Sequence, residues 1–174
     1  MTEVWLNHRG NDLLQGDLLR ACQVPLVAAD FGEREADGEI EVTVEVRDLI
    51  VITQSCDLAN AKTPLVALCP ISRLERFEHT SPDFKRKGVW ELVRKGRVEG
   101  LHLLASPVTP QINREASVVD FRQIFSLPTA YLCRHAELLG DRWRLQSPFV
   151  EHFSQAFARF FMRVGLPVSI PEFK

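Results

Sequence analysis

The sequence predicts an α+β domain of mainly antiparallel strands, completed by a C-terminal amphipathic helix. Three stretches carry that expectation. The first is Arg47–Asn60, R-D-L-I-V-I-T-Q-S-C-D-L-A-N, which opens on the apolar run Leu49–Ile52. The run is short and β-branched and ends in polar turn-formers, so it reads as a strand buried on both faces. The second is the alternation before it. Ile40, Val42, Val44 and Val46 fall on one side and Glu41, Thr43, Glu45 and Arg47 on the other, as in an antiparallel strand with one wet face. The third is the set Phe149, Phe153, Ala156, Phe157, Phe160, Phe161 and Val164, which recurs at helical spacing.

At 174 residues the chain, 1–174, has the length of a single domain. A hydrophobic content of 45% supports an ordinary core. The net charge of −2 excludes whole-molecule attraction to nucleic acid. Charge is uneven, however: Glu33–Asp48 holds seven acids against two arginines, and Lys85–Arg97 holds six bases against Glu91. Of the four cysteines, Cys22, Cys56, Cys69 and Cys133, none stands at C-x-x-C spacing. With no secretory signal or apolar span of membrane length in view, the expectation is a cytoplasmic protein with reduced thiols and no membrane contact. Histidines and cysteines do not cluster, so neither a metal nor another cofactor is expected.

In chain order, Val4, Trp5 and Leu6 suit a short packing arm. Gln15-Gly16-Asp17 reads as a turn, and Leu18–Ala29 as a strand that Pro25 restricts to an edge or a bulge. Asp37-Gly38 is a hairpin signal. The alternating strand runs almost unbroken into Leu49–Ile52, which predicts a bend or bulge at Arg47-Asp48. Pro64–Pro70 is a further apolar strand, ending in Ile71-Ser72. Ser81-Pro82 has the form of an N-cap with proline at the first helical position. Phe84, Trp90 and Val93 would then be the buried stripe of a helix to about Lys95, in which Gly88 costs about 1 kcal/mol relative to alanine. Leu101–Leu104 and Ser117–Phe125 read as strands joined by a loop. Leu132–Leu145 reads as a hairpin turning at Gly140-Asp141 or, in its first half, as helix. Ser147-Pro148 repeats the helix-start signal, and Gly165 and Pro167 end the last helix, 147–164. Its phenylalanines stabilise by on the order of 1.5–3 kcal/mol each when fully covered, either by closing the core or across a dimer interface.

Four segments recur in a familiar order. Gly16-Asp17-Leu18-Leu19 opens a strand, and Arg47 leads L-I-V-I-T. Leu65–Ser72 reads L-V-A-L-C-P-I-S, and Ser117–Leu127 reads S-V-V-D-F-R-Q-I-F-S-L. In these the chain resembles the PemK/MazF-like toxin family, small SH3-like barrels that typically cleave RNA. That family shows G-D-I, R-P-V-L-V-I-S, V-A-P-I-T and S-V-V-L-L-D-Q-I-R-T at the corresponding places. The resemblance implies a partly open SH3-like β-barrel, to which this chain adds a basic helical insertion at about 77–100. It also implies a catalytic pair, Arg47 and Ser72, acting without metal. The RNA 2′-hydroxyl would attack its own phosphate, a guanidinium would stabilise the developing oxyanion, and a hydroxyl would hold a second phosphate oxygen. The chain departs from the pattern where the acidic stretch Glu33–Glu45 replaces G-x-E-Q-x-G-x-R, where Asp48 replaces proline, and in the insertion itself.

Each candidate also has a plainer reading. Arg47 alternates with Glu45 and suits a surface ion pair, and Ser72 suits a cap for a helix beginning near Leu74. Gln54, Ser55, Cys56 and Asp57 suit a turn; otherwise Gln54 and Asp57 shape the floor of the Arg47–Ser72 pocket, or Cys56 is a thiolate nucleophile, which needs a nearby base or cation. Lys85, Arg86, Lys87, Arg94, Lys95 and Arg97 suit a solvated helix face, or, with Trp90 at its edge, a track for a phosphate backbone. His102 and His135 read as core or rim residues. The functional expectation is an RNA-directed protein, a metal-independent endoribonuclease of the toxin–antitoxin kind. The alternative is a catalytically silent module that holds a protein partner in a stress-response or phage-defence system. The partners implied are RNA, another protein, and a second copy of the chain.

Overall fold

A computed structural model of the chain describes residues 3–29 and 42–162. Among them lie β1 (Trp5–Arg9), β2 (Leu18–Leu26), β3 (Thr43–Val51), α1 (Ser55–Ala59), β4 (Leu65–Arg73), α2 (Leu74–Thr80), α3 (Val89–Arg94) and β5 (Leu101–Leu104). β6 (Ser117–Asp120), β7 (Phe125–Pro128), α4 (Thr129–Leu139), β8 (Asp141–Leu145) and α5 (Phe149–Phe161) follow. The architecture is α+β, and every strand pairing is antiparallel.

The main sheet runs β2-β3-β4-β6-β5. β4 is its hub, because three strands share its length. Leu68–Pro70 pairs with β3, Ile71–Arg73 with β6, and Leu65–Leu68 with β7. The sheet stays open, as a barrel-like wrap. β1 and β8 form a separate ribbon with Trp5 opposite Leu145. This ribbon joins the sheet through Gly16, whose N–H donates to the Val51 carbonyl at 2.9 Å and whose carbonyl accepts from Leu145 at 3.1 Å. Gly16 has φ +85°, and a Cβ there would lie 2.8 Å from Leu145 Cβ, so glycine alone fits. The adjacent Asp17 is fully buried and accepts from the Arg142 and Arg144 guanidiniums.

Alternation along β3 divides the core. Leu49 and Val51 enter the cluster under α4, with Leu132 and Ala136. Ile50 and Ile52 enter the cluster under α5, with Phe121 and Phe153. The Leu49–Ile52 run is therefore buried on both sides, as expected. A third cluster, Leu74, Phe77, Val93, Leu101 and Val118, seats the helical insertion on the sheet.

Several expectations change. The valine side of β3 is the outward one: Val42, Val44 and Val46 are 48%, 55% and 58% exposed. Glu45 and Arg47 continue the Leu49 side and are half-buried. The bulge expected at Arg47-Asp48 lies instead on the partner strand, between Leu19 and Cys22. Asp48 Oδ1 steadies it by accepting the Ala21 N–H at 2.8 Å. Pro25 sits within β2, which is an edge strand. The insertion is not one helix. It comprises α2, a 3₁₀ turn Pro82–Lys85, and α3, because Gly88 at φ +87° breaks the run. Ser81 stands at the N-cap of the 3₁₀ turn with Pro82 just inside it, as expected, though its hydroxyl makes no cap bond, whereas the N-cap of α5 is Pro148 and not Ser147. The stretch Ser117–Phe125 is divided between β6 and β7, and the first half of Leu132–Leu145 is helix. On α5, Phe153 is fully buried whereas Phe161 is 55% exposed. The Asp37-Gly38 hairpin, Ile40, Glu41, Val164, Gly165 and Pro167 lie outside the described residues. No described helix is long and apolar enough to cross a membrane.

Candidate functional site

β3 and β4 pair only as far as Leu49 opposite Pro70. Pro70 has no N–H to continue the ladder, and from Ile71 onward β4 pairs with β6. Continuing the register two residues sets Arg47 across from Ser72. Between the two strands opens a hollow of about 470 Å³ lined by both residues. Arg76 and Phe77 of α2 form one wall, and Asp120, Arg122 and Gln123 form another.

Arg47 is held from several sides. Its Nε and Nη2 donate to the same oxygen of Glu45, Oε2, at 2.8 and 2.6 Å. Its Nη1 donates to Gln123 Oε1 at 2.9 Å, and its guanidinium carbon lies 5.4 Å from the Phe125 ring centre. Gln123 in turn donates to Asp120 Oδ2 at 3.3 Å. Asp120 is buried and receives Arg122 Nε and Nη2 at 2.7 Å each. Those bonds push the Arg122 guanidinium above its ordinary pKa. The result is a polar chain from Glu45 to Arg122 that presents fixed cationic groups to the hollow. Ser72 is half-buried, and its hydroxyl has no hydrogen-bond partner among the described residues. It does not cap α2, whose N-cap is Arg73. Arg76, in the first turn of α2 and exposed, forms no ion pair with a described residue.

The turn after β3 is elsewhere. Residue 54 stands seven positions beyond Arg47, roughly 20 Å at the rise of a strand. Gln54, Ser55, Cys56 and Asp57 do not line the Arg47–Ser72 hollow. Ser55 Oγ accepts the Gln15 N–H at 3.1 Å, and Asp57 pairs with Lys62 at 3.6 Å beside a separate depression. The Cys56 thiol faces Gln54 Oε1 at 3.7 Å and Asp57 Oδ1 at 3.8 Å. Both are acceptors, whereas a thiolate needs a cation or a base nearby.

The insertion's candidates also separate. Trp90 is an anchor: its indole N–H donates to Glu78 at 2.7 Å, and its ring packs on Phe77 and Phe84. Arg114 bonds to both Glu78 oxygens and, with Trp90, lowers the pKa of that carboxyl to about 2. Lys85, Arg86 and Lys87 are exposed, and Arg86 pairs with Asp83 at 2.8 Å. Arg94 and Lys95 share Glu91. Sequence reasoning missed Arg76, Asp120, Arg122 and Gln123. The last three lie within the quoted S-V-V-D-F-R-Q stretch, and Arg76 lies in the first turn of α2, just after β4.

No group of three or more metal-ligating side chains occurs among the described residues. Fold and hollow together define an open antiparallel α+β domain with a guanidinium-lined hollow where two strands part. No protein-family model matches the sequence, and no curated protein matches it.

Proposed function

We propose that the chain is an RNA-directed protein of the PemK/MazF kind that holds a phosphodiester between Arg47 and Ser72. The observation that supports this reading is that both side chains line one hollow, where Arg76 and Arg122 also stand. The planar guanidinium of Arg47, fixed by Glu45, Gln123 and Phe125, meets a non-bridging phosphate oxygen without reorganising. The Ser72 hydroxyl donates to another. The groups suit metal-independent transesterification: the 2′-oxygen bonds to phosphorus, the bond to the 5′-oxygen breaks, and a 2′,3′-cyclic phosphate remains. The 2′-hydroxyl gives its proton to solvent and the departing 5′-oxygen takes one from solvent. Four free cysteines, Cys22 and Cys69 among them buried, accord with a reducing compartment, the cytoplasm.

One observation favours a catalytically silent binding module instead. The Glu45 carboxylate already takes the Nε and Nη2 donors of Arg47. Labelled RNA incubated in EDTA with the wild type and with Arg47→Ala separates the two readings. The nuclease cleaves without metal, and the substitution lowers the rate by about 10²–10³-fold, as for loss of one oxyanion donor. Absence of both cleavage and salt-sensitive RNA binding would leave the module.

A further inference from the structure

A second hollow, of about 600 Å³, lies between the C-terminal end of α3 and the face of α5. His102, His152, Arg159 and Phe160 line it. His102 stacks on Phe121 at 6.0 Å between ring centres and lies 5.8 Å from Phe153. Burial, helped by the charge of His152, lowers its pKa to about 4. At neutral pH its ring is therefore an uncharged plane with one donor and one acceptor nitrogen. Neither nitrogen is hydrogen-bonded to a described residue. Arg159 is exposed and forms no ion pair with a described residue.

This hollow adjoins the first. Gly100 lines it, and a Cβ on Gly100 would stand 2.7 Å from Cγ of Arg122, which lines the Arg47–Ser72 hollow. The Arg122 stem thus lies across the bare backbone of Gly100, and its guanidinium, tied to Asp120, marks the crossing from one hollow to the other. An aromatic and imidazole surface beside the Arg159 cation, in a hollow that Arg94, Lys95 and Glu99 also line, matches how proteins hold unpaired nucleotides, by stacking the base and meeting the phosphate.

We infer that the second hollow takes a further nucleotide of the same single-stranded RNA, stacked on His102 and Phe160 with its phosphate against Arg159. This inference rests on the phosphodiester reading of the first hollow. The site takes RNA that is long enough to cross Gly100 and free of base pairing.

The test uses the full chain and 2′-O-methyl oligouridylates of two and eight nucleotides, which lack the attacking hydroxyl. The wild type binds the octanucleotide more tightly than the dinucleotide. Arg159→Ala reduces that gain several-fold and makes the octanucleotide's salt slope shallower by about 0.7, the loss of one single-strand phosphate contact. Arg159→Lys restores the slope. Arg159 is exposed, so both variants fold. Octanucleotide affinity and slope unchanged in Arg159→Ala, with binding of both oligonucleotides weakened in Arg47→Ala, overturns this inference alone. Binding of both unchanged in Arg47→Ala, or no binding by the wild type, overturns the reading beneath it as well.

Discussion

Arg47 directs two of its N–H groups onto a single oxygen of Glu45, at 2.8 and 2.6 Å. The pair stands two residues apart on the same side of β3, at the mouth of the hollow. Glu45 therefore sets how much positive charge a phosphate meets. Glu45→Gln keeps a hydrogen-bonding oxygen and removes the negative charge. Short-RNA affinity rises in this variant, and the rise shrinks as salt increases, because partly exposed charges are screened. Titration at several ionic strengths measures both effects. Unchanged affinity would remove Arg47 from the binding site.

Asp17 is the buried counterpart. Its carboxylate accepts from Arg142 and Arg144, both themselves buried. Removing one partner of an enclosed ion pair costs about 3–5 kcal/mol because the remaining charges lose their compensation. Asp17→Asn is expected to lower stability by that order in chemical denaturation. The midpoint should fall with the slope retained, provided unfolding stays two-state.

Glu78 carries a pH dependence. Its carboxyl sits at about 2 instead of the ordinary 4.5, chiefly through its bonds to Arg114 and then through Trp90. A carboxyl depressed by folding contributes stability that is complete above about pH 4.5. That contribution is lost as pH falls from there toward 2. Thermal unfolding of wild type and Glu78→Gln should therefore diverge at pH 6 and converge near pH 2. A constant gap would show that the charge contributes nothing.

Gly100 tests the ridge between the hollows. Alanine there must adopt φ +77°, with its Cβ 2.7 Å from Arg122 Cγ and 3.2 Å from Phe160 Cε2. The left-handed backbone alone costs roughly 1–2 kcal/mol. Gly100→Ala is expected to lose at least that much stability, measured by urea denaturation.

Much of the fold was legible because its signals are local. The β-branched run Leu49–Ile52 and the helical phenylalanines of α5 each declare their period within one segment. The valine alternation declared a strand but not its orientation, since period two alone does not say which side other elements will cover. Arg47 and Ser72 come together in the sequence only through the family resemblance, whereas strand pairing is what puts both on one hollow. Gln54–Asp57 were set beside them through closeness in sequence, yet an extended strand carries each successive residue about 3.3 Å further away. Asp120, Arg122 and Gln123 come to Arg47 through a β6–β7 turn whose geometry depends on both strands sharing β4.

Trp5 finds its strand partner at Leu145, and Asp17 finds its cations at Arg142 and Arg144. A ribosome adding about 5–20 residues per second needs on the order of ten seconds to pass from one to the other. During that interval the β2–β3–β4 meander can assemble from neighbouring chain, while the carboxylate at its base stays hydrated. Emergence of β8 then brings both guanidiniums and the matching strand together, so the last third of the molecule acts as the latch for the first.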